Sequence, residues 1–293
     1  MRVSLIGFGN VGRDFAKLLL KKGVNACVVA IMASRGGVVR RDCIRASDLN
    51  RYVENGIYGE SGDVGLDDII NAGIDAAIIS IPPNYDSGEP NLSIYRKLLS
   101  SGISVVTSDK TGLALDFAGL TAAAGKGGAN IEYRATVMAG TPAIDLVRGL
   151  QGREVNSIKA TLNATTNFVL TKIEEGLSRK DAIELAIREK LAEPDPRIDL
   201  DGWDAGAKLV ILANQLGLGA TLRDVKLSRF DVDDERIRLA IKAGRRIKQV
   251  AIADMDSREM AVTLMEVGMF FFNILGLRQR RSERDLRGAD GVK

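Results

Sequence analysis

Apolar positions in the first 135 residues fall into short β-branched runs, separated by glycines or amphipathic stretches. RVSLI (2–6) reads as a short strand, and GFGNVGRDFAKLLLKKG after it as a glycine turn entering an amphipathic helix. CVVAIMA (27–33) has the make-up of a buried strand, and DAAIISI (75–81) and SVVTS (104–108) repeat it. Residues 92–100 and 113–124 fit helices between strands, and IEYRA (131–135) fits a further strand. Strands that alternate with helices predict a parallel, doubly wound sheet.

The texture changes after about residue 135, where helical segments dominate. SRKDAIELAIREK opens with Ser178 and has Asp181 three residues on, much like a capping box. Residues 202–217 form another helical pattern, apolar on every side over LVILA (209–213), which implies a buried helix. SIKATL (157–162), VAIADM (250–255) and MAVTLMEV (260–267) read as strands of a second sheet. The chain is therefore expected to be α/β, with residues 1–134 as one domain and 135–293 as an α+β domain.

Composition narrows the function. A chain of 293 residues, 45% apolar and 27% charged, suits one large globular domain or two ordinary ones. A net charge of +3 is too small at this length to argue for nucleic acid, and the basic tail RQRRSERDLRGADGVK reads as solvated. GMFFFNILGL (268–277) is too short to span a bilayer, and the N-terminus does not read as a signal peptide. Neither nucleic acid nor membrane is expected as a partner. The two cysteines, Cys27 and Cys43, predict no disulfide framework and no zinc site, so a reducing cytoplasm is the simplest setting. Histidine is absent, and acid–base work falls to Asp, Glu, Lys, Tyr or Cys.

Candidate chemistry starts at the glycine turn, Gly7-Phe8-Gly9-Asn10-Val11-Gly12, between the first strand and the first helix. The first glycine permits the turn, the second admits a pyrophosphate, and the third lets helix and strand pack closely. The helix N-terminus then offers free N–H groups to the phosphates. This spacing in this context predicts a Rossmann-type dinucleotide-binding domain. An acid usually ends the second strand to hold the ribose hydroxyls of NAD. Here Ala33, Ser34 and Arg35 occupy that end, and a guanidinium suits a 2′-phosphate. NADP is expected over NAD.

Five carboxylates, Glu193, Asp195, Asp199, Asp201 and Asp204, lie within twelve positions. Lys208 follows Asp204 by one helical turn, on the same face, where the helix becomes apolar. A lysine drawn toward a core needs a partner or a task. Spacing alone leaves a structural salt bridge and a catalytic pair both open.

These residues resemble the homoserine dehydrogenase family, particularly its archaeal-type members. GFGNVG opens the likeness. PNYDSGEP (83–90), VVTSDKTGLA (105–114), ATVMAGTPAID (135–145), LNATTNFVLTKI (162–173) and AEPDPRIDLDGWDAGAKL (192–209) continue it in order. The family interconverts L-aspartate 4-semialdehyde and L-homoserine with NAD(P), in threonine, methionine and isoleucine biosynthesis. The resemblance implies a small-molecule substrate held by Glu193, Asp199 and Asp204, with Lys208 as proton donor. It implies that Lys110 reaches the site near the nicotinamide, that Thr165 and Asn167 shape the pocket, and that Ser80 and Pro82 border the cofactor. It implies a homodimer, and a monovalent cation on main-chain oxygens of Val137, Ala139 and Thr141.

Four departures stand against this pattern. Ala164 replaces the glycine of the family's N-G-T, Lys190-Leu191 replaces Gly-Tyr, and Arg134 replaces a glutamate. The family's closing G-x-G-A-G-x-x-x-T-A segment is not found, and low activity is expected from that. Two other readings stay open: a dehydrogenase of another small amino-acid substrate, and an NADP-binding homologue without catalysis.

Overall fold

The computed structural model describes residues 1–34, 36–56, 62–193 and 195–268. In it, the alternation of the first half becomes a six-stranded sheet. In chain order it comprises β1 (Arg2–Ile6), α1 (Asn10–Lys22), β2 (Cys27–Ala33), β3 (Gly36–Val39), α2 (Ala46–Asn55), α3 (Leu66–Asn71), β4 (Ala76–Ile79), α4 (Asn91–Ser100), β5 (Ser104–Thr107), α5 (Thr111–Gly127) and β6 (Ile131–Glu132). The strand order is β3-β2-β1-β4-β5-β6, and all neighbours are parallel except β2 and β3. Side chains of β1 enter two clusters, as a sheet covered on both faces requires. Val3 and Leu5 pack with Ala16, Leu49 and Tyr52. Ile6 packs with Ile79, Tyr95, Leu98 and Leu120. Each large side chain buried in this way contributes about 1.5–3 kcal/mol.

The antiparallel β3 departs from the sequence reading, which assigns no strand there. Gly37 lets it pack closely: a Cβ there would lie 2.7 Å from the Ile31 carbonyl oxygen and from Val64. The hairpin also explains a second departure. Cys27, at the start of β2, and Cys43, after β3, form a disulfide with Cα atoms 5.0 Å apart. The chain returns along β2, and the Ile44 amide donates to the Val28 carbonyl at 2.7 Å. The expectation of an unbridged pair is thereby corrected, and cysteine use no longer argues for a reducing compartment.

After a 3₁₀ turn and α6 (Ala143–Arg148) come β7 (Ser157–Ala160), α7 (Ala164–Glu174), α8 (Arg179–Arg188), α9 (Arg197–Leu200), α10 (Trp203–Gln215), β8 (Val225–Leu227), α11 (Asp234–Lys242), β9 (Arg245–Asp254) and β10 (Met260–Gly268). The second sheet has the order β7-β9-β10-β8, centred on the long antiparallel pair β9–β10. Ser178 caps α8 through the Asp181 amide, as its sequence predicts. Val169, Leu170, Ala182, Ala186, Phe230 and Leu264 belong to one buried cluster. Contacts divide the chain into two units. One comprises Met1–Asn156, Ala207–Val225 and Asp254–Glu259, the other Ser157–Gly206, Lys226–Ala253 and the chain from Met260. Among the described residues no helix is long and apolar enough to cross a membrane. Arg35 and the C-terminal segment beyond Gly268 lie outside the described residues.

Candidate active site

The glycine turn is built by contacts on both sides. Gly7 has φ +91°, which glycine adopts without a Cβ penalty. Its amide donates to the Met32 carbonyl at 2.8 Å, and Ser80 Oγ donates to its carbonyl at 3.0 Å. A Cβ on Gly7 would lie 2.3 Å from the Ser80 carbonyl oxygen, and one on Gly12 would lie 2.2 Å from the Gly7 carbonyl oxygen. Gly9 differs: a Cβ there would meet nothing within 4 Å. Phe8 is buried and anchors the turn in the core, while Asn10 and Val11 are exposed at the start of α1. Gly9 gives α1 no side-chain cap, so its first-turn N–H groups have no capping side chain. An open cradle below uncapped N–H groups fits a dinucleotide pyrophosphate. Ser34 is exposed just past β2, and Pro82 is exposed just past Ser80.

Lys110 occupies the N-cap position of α5, next to a buried network. Asp109, 3% exposed, accepts from Asn91 Nδ2 at 3.0 Å, from the Thr111 amide at 3.0 Å and from Thr111 Oγ1 at 2.8 Å. Burial pushes its carboxyl above the ordinary value, and the donors from Thr111 and Asn91 pull the other way. Asn91 Nδ2 also reaches the Pro82 carbonyl at 3.0 Å, so one amide ties together the loops that carry Pro82 and Lys110.

In the second unit, Asn163 gathers the acids. Its Oδ1 accepts from the Thr166 amide at 2.8 Å, capping α7. Its Nδ2 donates to Asp199 Oδ1 at 2.7 Å and to Asp204 Oδ2 at 2.9 Å. Thr166 Oγ1 holds the Asp199 carbonyl at 3.0 Å, and Gln249 Nε2 holds the Leu200 carbonyl at 2.9 Å. Thr165 is buried and donates to the Leu191 carbonyl at 2.7 Å. Asn167 Oδ1 is buried with no hydrogen-bond partner among the described residues. Asp204 and Lys208 are half-buried one turn apart on α10, and Leu209 to Ala213 beyond them are buried. Glu193 is exposed. Asp195 pairs with Arg197 rather than with this set. Lys190 has φ +58°, at the position where the resemblance expects glycine, a left-handed conformation that costs about 1–2 kcal/mol.

Sequence reasoning missed Asn163, Asn91 and Asp109. An asparagine just ahead of the α7 helix was a readable capping signal, but nothing local pointed to the two distant carboxylates. A cavity of about 580 Å³ lined by Phe117, Tyr133, Arg148, Gln151 and Gln215 contains none of the expected site residues.

The segment expected to hold a cation places Met138 and Ala139 at φ +59° and +46°. Val137 is buried, Ala139 is exposed, and the Thr141 carbonyl accepts from the Ala143 amide at 2.7 Å. Arg134, in the place of the family's glutamate, pairs with Asp145 at 2.6 Å. Among the described residues no group of three or more acidic or cysteine side chains is placed to hold a metal ion. Those are side chains, whereas the resemblance implies main-chain oxygens, of which the Thr141 carbonyl already accepts within a turn.

A doubly wound sheet with an open glycine cradle, and a separate set of acids with a lysine on one helix, define a nicotinamide-dependent oxidoreductase. The homoserine dehydrogenase family model matches residues 142–276. A homoserine dehydrogenase of Sulfurisphaera tokodaii is 35% identical over 258 residues, 87% of this chain and 79% of that protein. An NAD(+)-dependent homoserine dehydrogenase of Pseudomonas canavaninivorans is 33% identical over 80% of this chain and 72% of its own length. A hyperthermophilic archaeal homoserine dehydrogenase solved with NADPH is 28% identical with a TM-score of 0.76, covering 92% of this chain and 82% of that one. The chain belongs to the homoserine dehydrogenase family.

Proposed function

We propose that this homoserine dehydrogenase family member interconverts L-aspartate 4-semialdehyde and L-homoserine, with NADP preferred to NAD. The observation that carries the reading is the set on α10 and α9: two carboxylates gathered by one amide, and Lys208 one turn past Asp204. Asp199, Asp204 and Glu193 hold the substrate ammonium. Lys208 gives its proton to the oxygen of the aldehyde as the adjacent carbon becomes tetrahedral, and takes it back in the reverse direction. Negative charge arising on oxygen is stabilised by the same ammonium. Thr165 and Asn167 shape the pocket, and Lys110 orients the substrate. When bound, the nicotinamide supplies or accepts the hydride. Gly7, Gly9, Gly12, Asn10, Val11, Ser80 and Pro82 hold the dinucleotide.

Residues 1–134 are proposed to bind the dinucleotide, and 135–293 to bind substrate and pair two chains into a homodimer. A cytoplasmic setting is part of the proposal, although the cysteines no longer support it. NADP preference rests on Ser34 and Arg35 in place of an acid, although the Pseudomonas relative is named for NAD(+). The test is homoserine-dependent reduction of NADP+ and NAD+, followed by nicotinamide absorbance. Arg35→Ala is expected to weaken NADP+ far more than NAD+, and equal losses for both reject that role.

A further inference from the structure

We infer that Asn163 is a positioning residue whose buried amide joins Asp199 and Asp204 into a single acceptor for an ammonium group. The inference rests on the functional reading above and adds a residue to it. Asn163 is 4% exposed, and each part of its side chain has a separate employment. The oxygen caps α7 through the Thr166 amide. A cap needs only that oxygen, which serine or aspartate supplies equally well. The distinct contribution of asparagine is the NH₂ group, whose two protons go to two different carboxylates.

Asp199 belongs to α9 and Asp204 to α10, on either side of Gly202 at φ +84°. Thr166 and Gln249 fix the backbone of the first of these elements by its carbonyls. That backbone is therefore set independently, and the amide aims the side chains. Two carboxylates drawn to one nitrogen repel each other, and like charge favours protonation of one. Two donated N–H groups oppose this without bringing a charge of their own. A lysine or arginine in the same place would neutralise the pair and compete with a cationic ligand. The arrangement keeps two ionised acceptors side by side for a tetrahedral ammonium, which carries several N–H donors. A ligand that presents a carboxylate is repelled, and a neutral hydroxyl supplies a single uncharged donor.

Asn163→Ser and Asn163→Asp both keep a capping oxygen and both lose the NH₂ group. Both are expected to fold with some loss of stability, larger in Asn163→Asp, which buries a third carboxylate. With saturating NADP+, the KM for L-homoserine should rise roughly 10- to 100-fold in Asn163→Ser, the loss expected for a hydrogen bond to a charged group. It should rise further in Asn163→Asp, where a third carboxylate crowds the pair. kcat should change much less, and the KM for NADP+ should not move. A second measurement needs no turnover: a double-mutant cycle of Asn163→Ser with Asp199→Asn in urea unfolding. Asn163→Ser should destabilise the unmodified chain more than the Asp199→Asn chain, where one of the repelling charges is gone. An unchanged KM in an active enzyme, or additivity in the cycle, overturns the inference. Coupling in a chain that oxidises no homoserine would sink the functional reading and leave the bridge standing.

Discussion

Asn91 in one unit and Asn163 in the other both turn a side-chain amide on aspartate, yet the carboxylates they meet have opposite fates. Asp109 is enclosed, with Asn91, the Thr111 amide, Thr111 Oγ1 and Tyr95 all directed at it. Burial raises its pKa, and the group is spent on holding a loop. Asp199 and Asp204 receive the same kind of donor but stay half-buried. The same amide serves the fold where the acid is sealed in and, on the proposed function, serves a ligand where the acid keeps an accessible side. Partner chemistry does not distinguish these two settings, and burial does.

The largest expected effect lies on the accessible side. Lys208→Met should lower kcat by about 10²- to 10⁴-fold, roughly 3–5 kcal/mol in the barrier, with NADP+ binding and melting temperature nearly unchanged. Steady-state kinetics alongside direct NADP+ binding measures this. Near-normal kcat in Lys208→Met, with activity abolished by Lys110→Met, would move the proton donor to Lys110.

On the sealed side, Asn91→Leu removes a donor from a buried carboxylate, at a cost of about 1–3 kcal/mol. Urea midpoints should fall. The pH dependence follows from sign. A carboxyl whose folded pKa is raised contributes stability below its unfolded value and loses it as pH climbs through the raised one. Losing the Asn91 donor raises that value further, so the deficit of Asn91→Leu should widen as pH rises above about 4. A deficit that stays constant with pH would assign it to packing instead of to Asp109.

The smallest effect belongs to the exposed pair beside the acids. Arg197 lowers the Asp195 pKa to about 2. Its contribution is present above the unfolded value near 4 and fades as pH falls toward about 2. Asp195→Asn should remove only that acid-side slope, seen as urea midpoints compared between the two ends of the window. An altered KM for homoserine would instead draw Asp195 into the binding set.

Local signals carried much of this molecule. The β-branched runs found β1, β2, β4 and β5, the S-x-x-D start found the α8 cap, and the unbroken apolar stretch found the buried part of α10. The glycine spacing located the cradle because turn, strand and helix are neighbours in sequence. What stayed hidden depends on residues that meet only after folding. β3 was masked by the glycines that let it pack against Val64, and with it went the disulfide that the hairpin brings together. Asn163 reaches partners 36 and 41 positions away, and Asn91 reaches one 18 positions away. No periodicity encodes such distances.

The three glycines of the cradle also keep a kind of history. Gly7 and Gly12 are enforced by the polypeptide itself, since any side chain there collides with backbone. A lineage that had abandoned its cofactor would still have to retain both. Gly9 has no such guardian: mutation to alanine would be invisible to folding, and only an occupant above it could object. Its smallness is the part of the motif that the fold itself does not require.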